Sequence, residues 1–208
     1  MKTTGKTFSS GMVRAMMAGK KTETRRLFHD GPKNASGFIR DDNGFIVPIN
    51  KDGEPFEFHL GKRHDVGDRI YIREHWRTLF DALDDTPPRD LPHDTPVVYC
   101  ADRPTYLNHG KFRQAMHMPK WAHRAHLIVK SYHIERLQEI DRAGAMAEGI
   151  VVGHNNEKSG FKFAGSDKVF SDPVHAYAHL WNDLHKKHSW DQNPWVSVTK
   201  YDFYPTPI

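Results

Sequence analysis

Met12, Val13, Met16 and Met17 recur at helical spacing, and Ser9 or Ser10 stands where an N-cap is needed. Gly19 suits the left-handed residue that ends such a helix, so the spacing predicts a helix up to Met17 with a turn behind it. Further along, the period changes to two. In Arg69-Ile70-Tyr71-Ile72-Arg73-Glu74, Ile70 and Ile72 share a face with Glu74, while Arg69, Tyr71 and Arg73 share the other. A half-buried strand is predicted there, entered through Val66-Gly67-Asp68 and ending in Glu74-His75-Trp76. Three more strands are predicted over 96–101, 125–134 and 196–203, the second with Leu127 and Val129 on one face. Asp141 caps a short predicted helix over 141–148 that Gly149 terminates. Asp172 caps another, with Pro173 at its first position and Val174, Tyr177, Ala178, Trp181 and Leu184 along one face.

Between these elements the chain changes character. Residues 29–66 are rich in Gly, Asp, Asn and Pro, yet carry short apolar runs at Gly37-Phe38-Ile39-Arg40, Phe45-Ile46-Val47 and Phe56-Glu57-Phe58. Asn43-Gly44 between two of them is a hairpin signal. Residues 81–95 read as a loop, and 153–171 as a second polar insertion. Short strands interleaved with three short helices predict an α+β protein around a small, partly closed β-barrel. One domain over 1–208, with insertions at about 29–66 and 153–171, is the organisation expected.

Charge sharpens this picture modestly. A net charge of +4 among 208 residues points to an anionic partner without separating nucleotide from nucleic acid. Cys100 is the sole cysteine, which excludes an internal disulfide and a cysteine-based zinc site and fits a reducing cytoplasm. No run approaches the roughly 20 apolar residues of a membrane helix, so a soluble, unprocessed chain is expected.

The densest chemistry lies in Gly19-Lys20-Lys21-Thr22-Glu23-Thr24-Arg25-Arg26, on a turn or at a strand start. In a regular strand the Lys21 and Thr24 side chains would point to opposite faces, whereas on a bend they can converge. A partly desolvated lysine loses its proton more easily and can activate a neighbouring hydroxyl or a water. The run can equally be a solvated basic turn. A phosphate-binding P-loop fails, because position 14 is Arg14 and Lys20 is followed by Lys21.

Glu148, in the last turn of its predicted helix, faces the unfavourable end of the helix dipole, and pairing with Lys21 would offset that cost. Glu74, beside His75 and Trp76, is the rival carboxylate. Trp76, Trp121 and Trp195 can stack a base or fill a core, and Arg73 and Arg124 can hold phosphate or carbonyl oxygens. His175 and His179 lie four apart on a predicted helix, while His123 and His126 point apart on a strand. Without an H-E-x-x-H frame, neither pair predicts a metal site, and no cofactor is expected.

Five ordered motifs then carry a resemblance: the octet; Val66-Gly67-Asp68-Arg69-Ile70-Tyr71-Ile72-Arg73-Glu74-His75-Trp76; Met118-Pro119-Lys120-Trp121-Ala122-His123-Arg124; Ala145-Met146-Ala147-Glu148-Gly149-Ile150; and Asn193-Pro194-Trp195-Val196. Together they resemble the ASCH-domain family, in particular its larger phage- and prophage-encoded members. The resemblance implies a PUA-like β-barrel with flanking helices, in a fold whose relatives bind RNA or modified bases in a cleft. The family includes bacterial amidohydrolases that deacetylate N4-acetylcytidine with a lysine, a threonine and a glutamate. Carried over, these fall on Lys21, Thr24 and Glu148. Arg26, Arg73, Glu74, Trp76, Trp121 and Arg124 are the expected substrate-binding residues. The implied function is a metal-independent amidohydrolase acting on N4-acylated cytosine nucleosides or related modified bases. The alternative is a non-catalytic RNA or modified-nucleic-acid binding protein. This chain departs from the small enzymes in its length, in Arg25-Arg26 and in its two insertions.

Overall fold

A computed structural model describes residues 1–29, 31–32, 34–61, 63–102, 109–154 and 159–208. The central sheet has five strands: β1 (Thr3–Thr7), β2 (Glu23–Leu27), β5 (Arg69–Arg73), β8 (His126–Arg136) and β11 (Trp195–Tyr204), in the order β1-β5-β8-β11-β2. β1 and β5 are parallel and the other pairs antiparallel. Hydrogen bonding leaves β1 and β2 as edges, so among the described residues the sheet does not close into a barrel. Its two edges still approach each other, because Arg26 Nη2 on β2 donates to the Thr7 carbonyl of β1 at 2.7 Å. The protein is mixed α and β, and among the described residues no helix is long and apolar enough to cross a membrane.

Alternation along the strands decides which side chains meet. Phe8, Ile70, Ile72, Leu127, Val129 and Tyr201 form one buried cluster, closed by Val13 and Met16 of helix α1 (Ser10–Met17). Ser9 caps that helix through Met12 N, and Gly19 follows it at φ 67°. On the other face, Val196 and Val198 pack against helices α2 (Arg142–Ala147) and α3 (Pro173–Leu184) through Ala145, Ala176, Tyr177 and Trp181. Asp141 and Asp172 cap these two helices as expected. The β8–β11 register slips at Lys200/Tyr201, where Ser131 opposes Lys200 and Val129 opposes Tyr201, so Lys130 is one residue too many. The extra residue switches the period of β8, which keeps Leu127, Val129 and Tyr132 on one face.

Two-stranded units decorate this frame. The Asn43-Gly44 turn joins β3 (Gly37–Arg40) to β4 (Ile46–Ile49), with Gly44 at φ 82° and Asp41 Oδ1 accepting from Asn43 N and Phe45 N. Residues 30, 33 and 62 of that insertion lie outside the described residues. The strand expected at 96–101 is β7 (Val97–Tyr99), and it pairs with β6 (Trp76–Thr78), which begins where the preceding strand was expected to end. Residues 153–171, expected as a loop, instead contribute to a hairpin of β9 (Val151–His154) and β10 (Ser159–Lys162). Gly153 and Gly160 hide its pattern. A Cβ at Gly160 would stand 2.3 Å from the Phe170 carbonyl, so this strand is built on close backbone approach and not on alternating side chains. Residues 155–158 of that insertion also lie outside the described residues.

Candidate active site

The turn after α1 delivers Lys21 into the interior. Lys21 N donates to the Ala15 carbonyl at 3.1 Å and Thr22 N to the Ala147 carbonyl at 2.8 Å, which ties the turn to both helices. Gly149 (φ 101°) follows α2, and a Cβ on it would lie 3.4 Å from Lys21 Cβ, so the close approach of the two segments favours glycine twice over. The Lys21 ammonium is 2% exposed. Its three donors point to Glu148 Oε2 at 2.5 Å and to the Glu23 and Glu148 carbonyls at 2.9 Å each. One cation therefore satisfies an orphan carbonyl at the end of α2, complements that helix's dipole and neutralises the carboxylate placed there. Burial pushes the Lys21 amine below its ordinary range, and Glu148 pulls in the opposite direction.

Behind this pair stands a network that the spacing of Lys21 and Thr24 did not reveal. Arg25 Nη1 reaches Glu23 Oε2 at 3.1 Å and Glu148 Oε1 at 3.5 Å, while its Nε donates to Glu135 Oε1 at 2.8 Å. Lys200 Nζ closes the chain on Glu23 Oε1 at 2.9 Å. Burial opposes the Arg25 charge, but Glu148, Tyr177 and Glu135 outweigh it and raise its pKa. Tyr177 OH lies 3.5 Å from Glu148 Oε1, and burial holds its phenol well above the ordinary value. Both neighbours of Oε1 sit at the limit of hydrogen-bond length, so this oxygen can take a shorter bond from an incoming donor.

Glu148, Tyr177, Thr24 and Arg26 open onto a cleft of about 440 Å³ between β2, the start of α1, and α3. Met12, Leu27, Leu180, Trp181 and Leu184 supply its apolar wall. A volume of this order is that of a small-molecule site. Lys21 and Glu148 also line an adjoining crevice with Ser9 and Met12, so the buried pair forms the back of the same region. The three residues expected to be catalytic are thus associated: Lys21 is bonded to Glu148, and Glu148 shares the cleft with Thr24.

Of the six expected binding residues, only Arg26 lines this cleft. Trp76 is wholly buried against Leu91, Met118 and Ala122, and has no face to offer a base. Trp121 packs on that same cluster and stacks with His93 at 5.8 Å between ring centres. Glu74, 1% exposed, is held by Arg124 at 2.9 and 3.1 Å, and burial raises its pKa against that pairing. Arg124 also binds Asp102 and covers the Tyr99 ring at 4.0 Å. Arg73 donates to the Met116 and Gly5 carbonyls. Trp76, Glu74, Trp121 and Arg124 thus join two segments some 50 residues apart into the layer beside β6 and β7. Burial moves the Cys100 thiol up, the reverse of what a nucleophilic cysteine needs. His123 and His126 engage backbone groups of residues 120, 206 and 208.

Comparison with known proteins adds no relative: no family model, curated protein or solved structure matches the chain.

Proposed function

We propose that the protein is a metal-independent amidohydrolase of N4-acylated cytosine nucleosides or related modified bases, on an ASCH-type, PUA-like fold whose five-stranded sheet stays open. The observation that carries this reading is the buried Lys21–Glu148 pair at the back of a cleft that Thr24 also lines. The approach of the two sheet edges through Arg26 supports the fold assignment.

In this reading a water, or Thr24 Oγ1, attacks the acyl carbon and gives one proton to the Lys21–Glu148 pair. Collapse of the tetrahedral intermediate breaks the carbon–N4 bond as that proton passes to N4. Attack by water yields carboxylic acid and amine directly. Attack by Thr24 forms an acyl ester that a second water releases. Arg26 supplies positive charge for the developing oxyanion, and the apolar wall accepts the pyrimidine. The test is direct. Purified protein incubated with N4-acetylcytidine should release cytidine and acetate, and full turnover by Lys21→Ala would eliminate these roles. Binding without turnover would favour the non-catalytic reader of RNA or modified nucleic acid.

The pH dependence follows from Lys21. A base is active once deprotonated, so the rate should rise with pH along a limb below the ordinary lysine value of 10.5. Glu148 stabilises the ammonium and raises that pKa, so Glu148→Gln should move the limb to lower pH while reducing the maximal rate. A limb that stays put or moves upward would remove Lys21 as the titrating base.

A further inference from the structure

A second cavity, of about 310 Å³, lies on the face of the central sheet that carries Ile70 and Tyr132 and is built by alternation. Lys2, Thr4, Lys6 and Phe8 point into it from β1 and its flanks, and Thr24 and Arg26 do so from β2. With Arg63 it gathers four cations, as many as the net excess of the whole chain, and no Asp or Glu is among the described residues lining it. Among the described residues neither the Lys2 nor the Lys6 ammonium has a carboxylate partner. Asp68, beside Lys2, accepts from the backbone N–H groups of Lys2 and Asp65, at 2.6 and 3.0 Å. Thr4 Oγ1, Arg26 Nε and His64 Nδ1 of the lining are buried atoms with no hydrogen-bond partner. Burial lowers the Lys6 pKa first, and Arg26, Lys2, Arg63 and Arg73 lower it further by repulsion. Folding has thus brought the Lys2 and Lys6 ammonium groups beside further cations with no carboxylate paired to either lysine. An anion would relieve the repulsion and satisfy the donors.

We propose that this cavity is a phosphate site, and that the protein's ligand is a phosphorylated pyrimidine nucleotide rather than a free nucleoside. The two cavities share Thr24, Arg26, Leu27 and His29 as walls, so a base beside Glu148 and a phosphate beside Lys6 belong to one bound molecule. The anion site stands on the cation cluster alone, whereas its link to deacylation rests on the function proposed above. Terminal phosphate of a mononucleotide and internal phosphate of a single strand present the same chemistry to the cluster.

Calorimetry with cytidine, cytidine 5′-monophosphate and a cytosine-containing trinucleotide, alongside the ³¹P resonance of inorganic phosphate, tests the proposal. The wild type should broaden the phosphate resonance and bind the monophosphate at least about tenfold more tightly than cytidine, the gain one or two charge-assisted hydrogen bonds supply. In Lys2→Gln/Lys6→Gln that ratio should fall to nearly one with the melting temperature unchanged or raised, since a repulsion has been removed. Tighter binding of the trinucleotide would identify a strand as the source, and equal binding a mononucleotide. An unperturbed phosphate resonance, equal affinities in the wild type, or an unchanged ratio in the variant would overturn the proposal. N4-acetylcytidine left intact while phosphate discrimination persists would sink the hydrolase reading and leave this one standing.

Discussion

Lys21→Met should lower the unfolding free energy by about 3–5 kcal/mol in urea titrations, the typical cost of removing one partner from a buried ion pair. Methionine fills the channel of the lysine stem but offers no donor. Glu148, with a side chain 5% exposed, would keep only Arg25 and Tyr177, both at 3.5 Å. The Glu23 and Glu148 carbonyls would lose their donor as well. The double variant Lys21→Met/Glu148→Leu should recover most of the loss, because both desolvated charges then disappear together. Arg25 would retain Glu23 and Glu135 in that variant. A single variant within about 0.5 kcal/mol of the wild type would mean that the pair contributes little to folding. A double variant no better than the single would place the cost elsewhere.

Thr24→Val should lower kcat for N4-acetylcytidine by about 10²–10⁴-fold with a much smaller change in KM, as expected when a group takes part in the chemical step and not in holding the substrate. Valine keeps the branched shape and the strand propensity that β2 requires at its pairing with Thr199. The variant therefore removes the hydroxyl and little else. Thr24→Ser should recover a large part of the rate. The pair of variants also separates the two routes of attack. If Thr24 carries the acyl group, wild type trapped during turnover should show an added acetyl mass that Thr24→Val lacks. Full activity in Thr24→Val would exclude the hydroxyl from the chemistry.

Much of this organisation was legible in the sequence because it is local. Ser9, Asp141 and Asp172 cap the helices as read, Gly19 and Gly149 adopt positive φ behind two of them, and the Asn43-Gly44 hairpin forms. Lys21 beside Glu148 was legible through electrostatics, since a carboxylate at a helix end lacks a reason to be there without a cation. The remainder depends on long-range encounters. Arg25 joins Glu135 across 110 residues, and no spacing rule announces that. The strand period does place Glu23 and Arg25 on one face of β2 and Thr24 and Arg26 on the other, but Arg25 and Glu148 of the network also line the cleft, so alternation alone does not separate the two. Trp76 and Trp121 misled because an aromatic ring among cations looks the same in sequence whether it forms a binding platform or a core.

The surplus residue in β8 is one the strand can lose. The Lys130 side chain is 60% exposed and pairs with Asp202 at 3.3 Å. An in-frame deletion of Lys130 would leave Val129 and Tyr132 two residues apart, the ordinary strand period, so Leu127, Val129 and Tyr132 would stay on one face and the pairing with β11 would run on without the bulge.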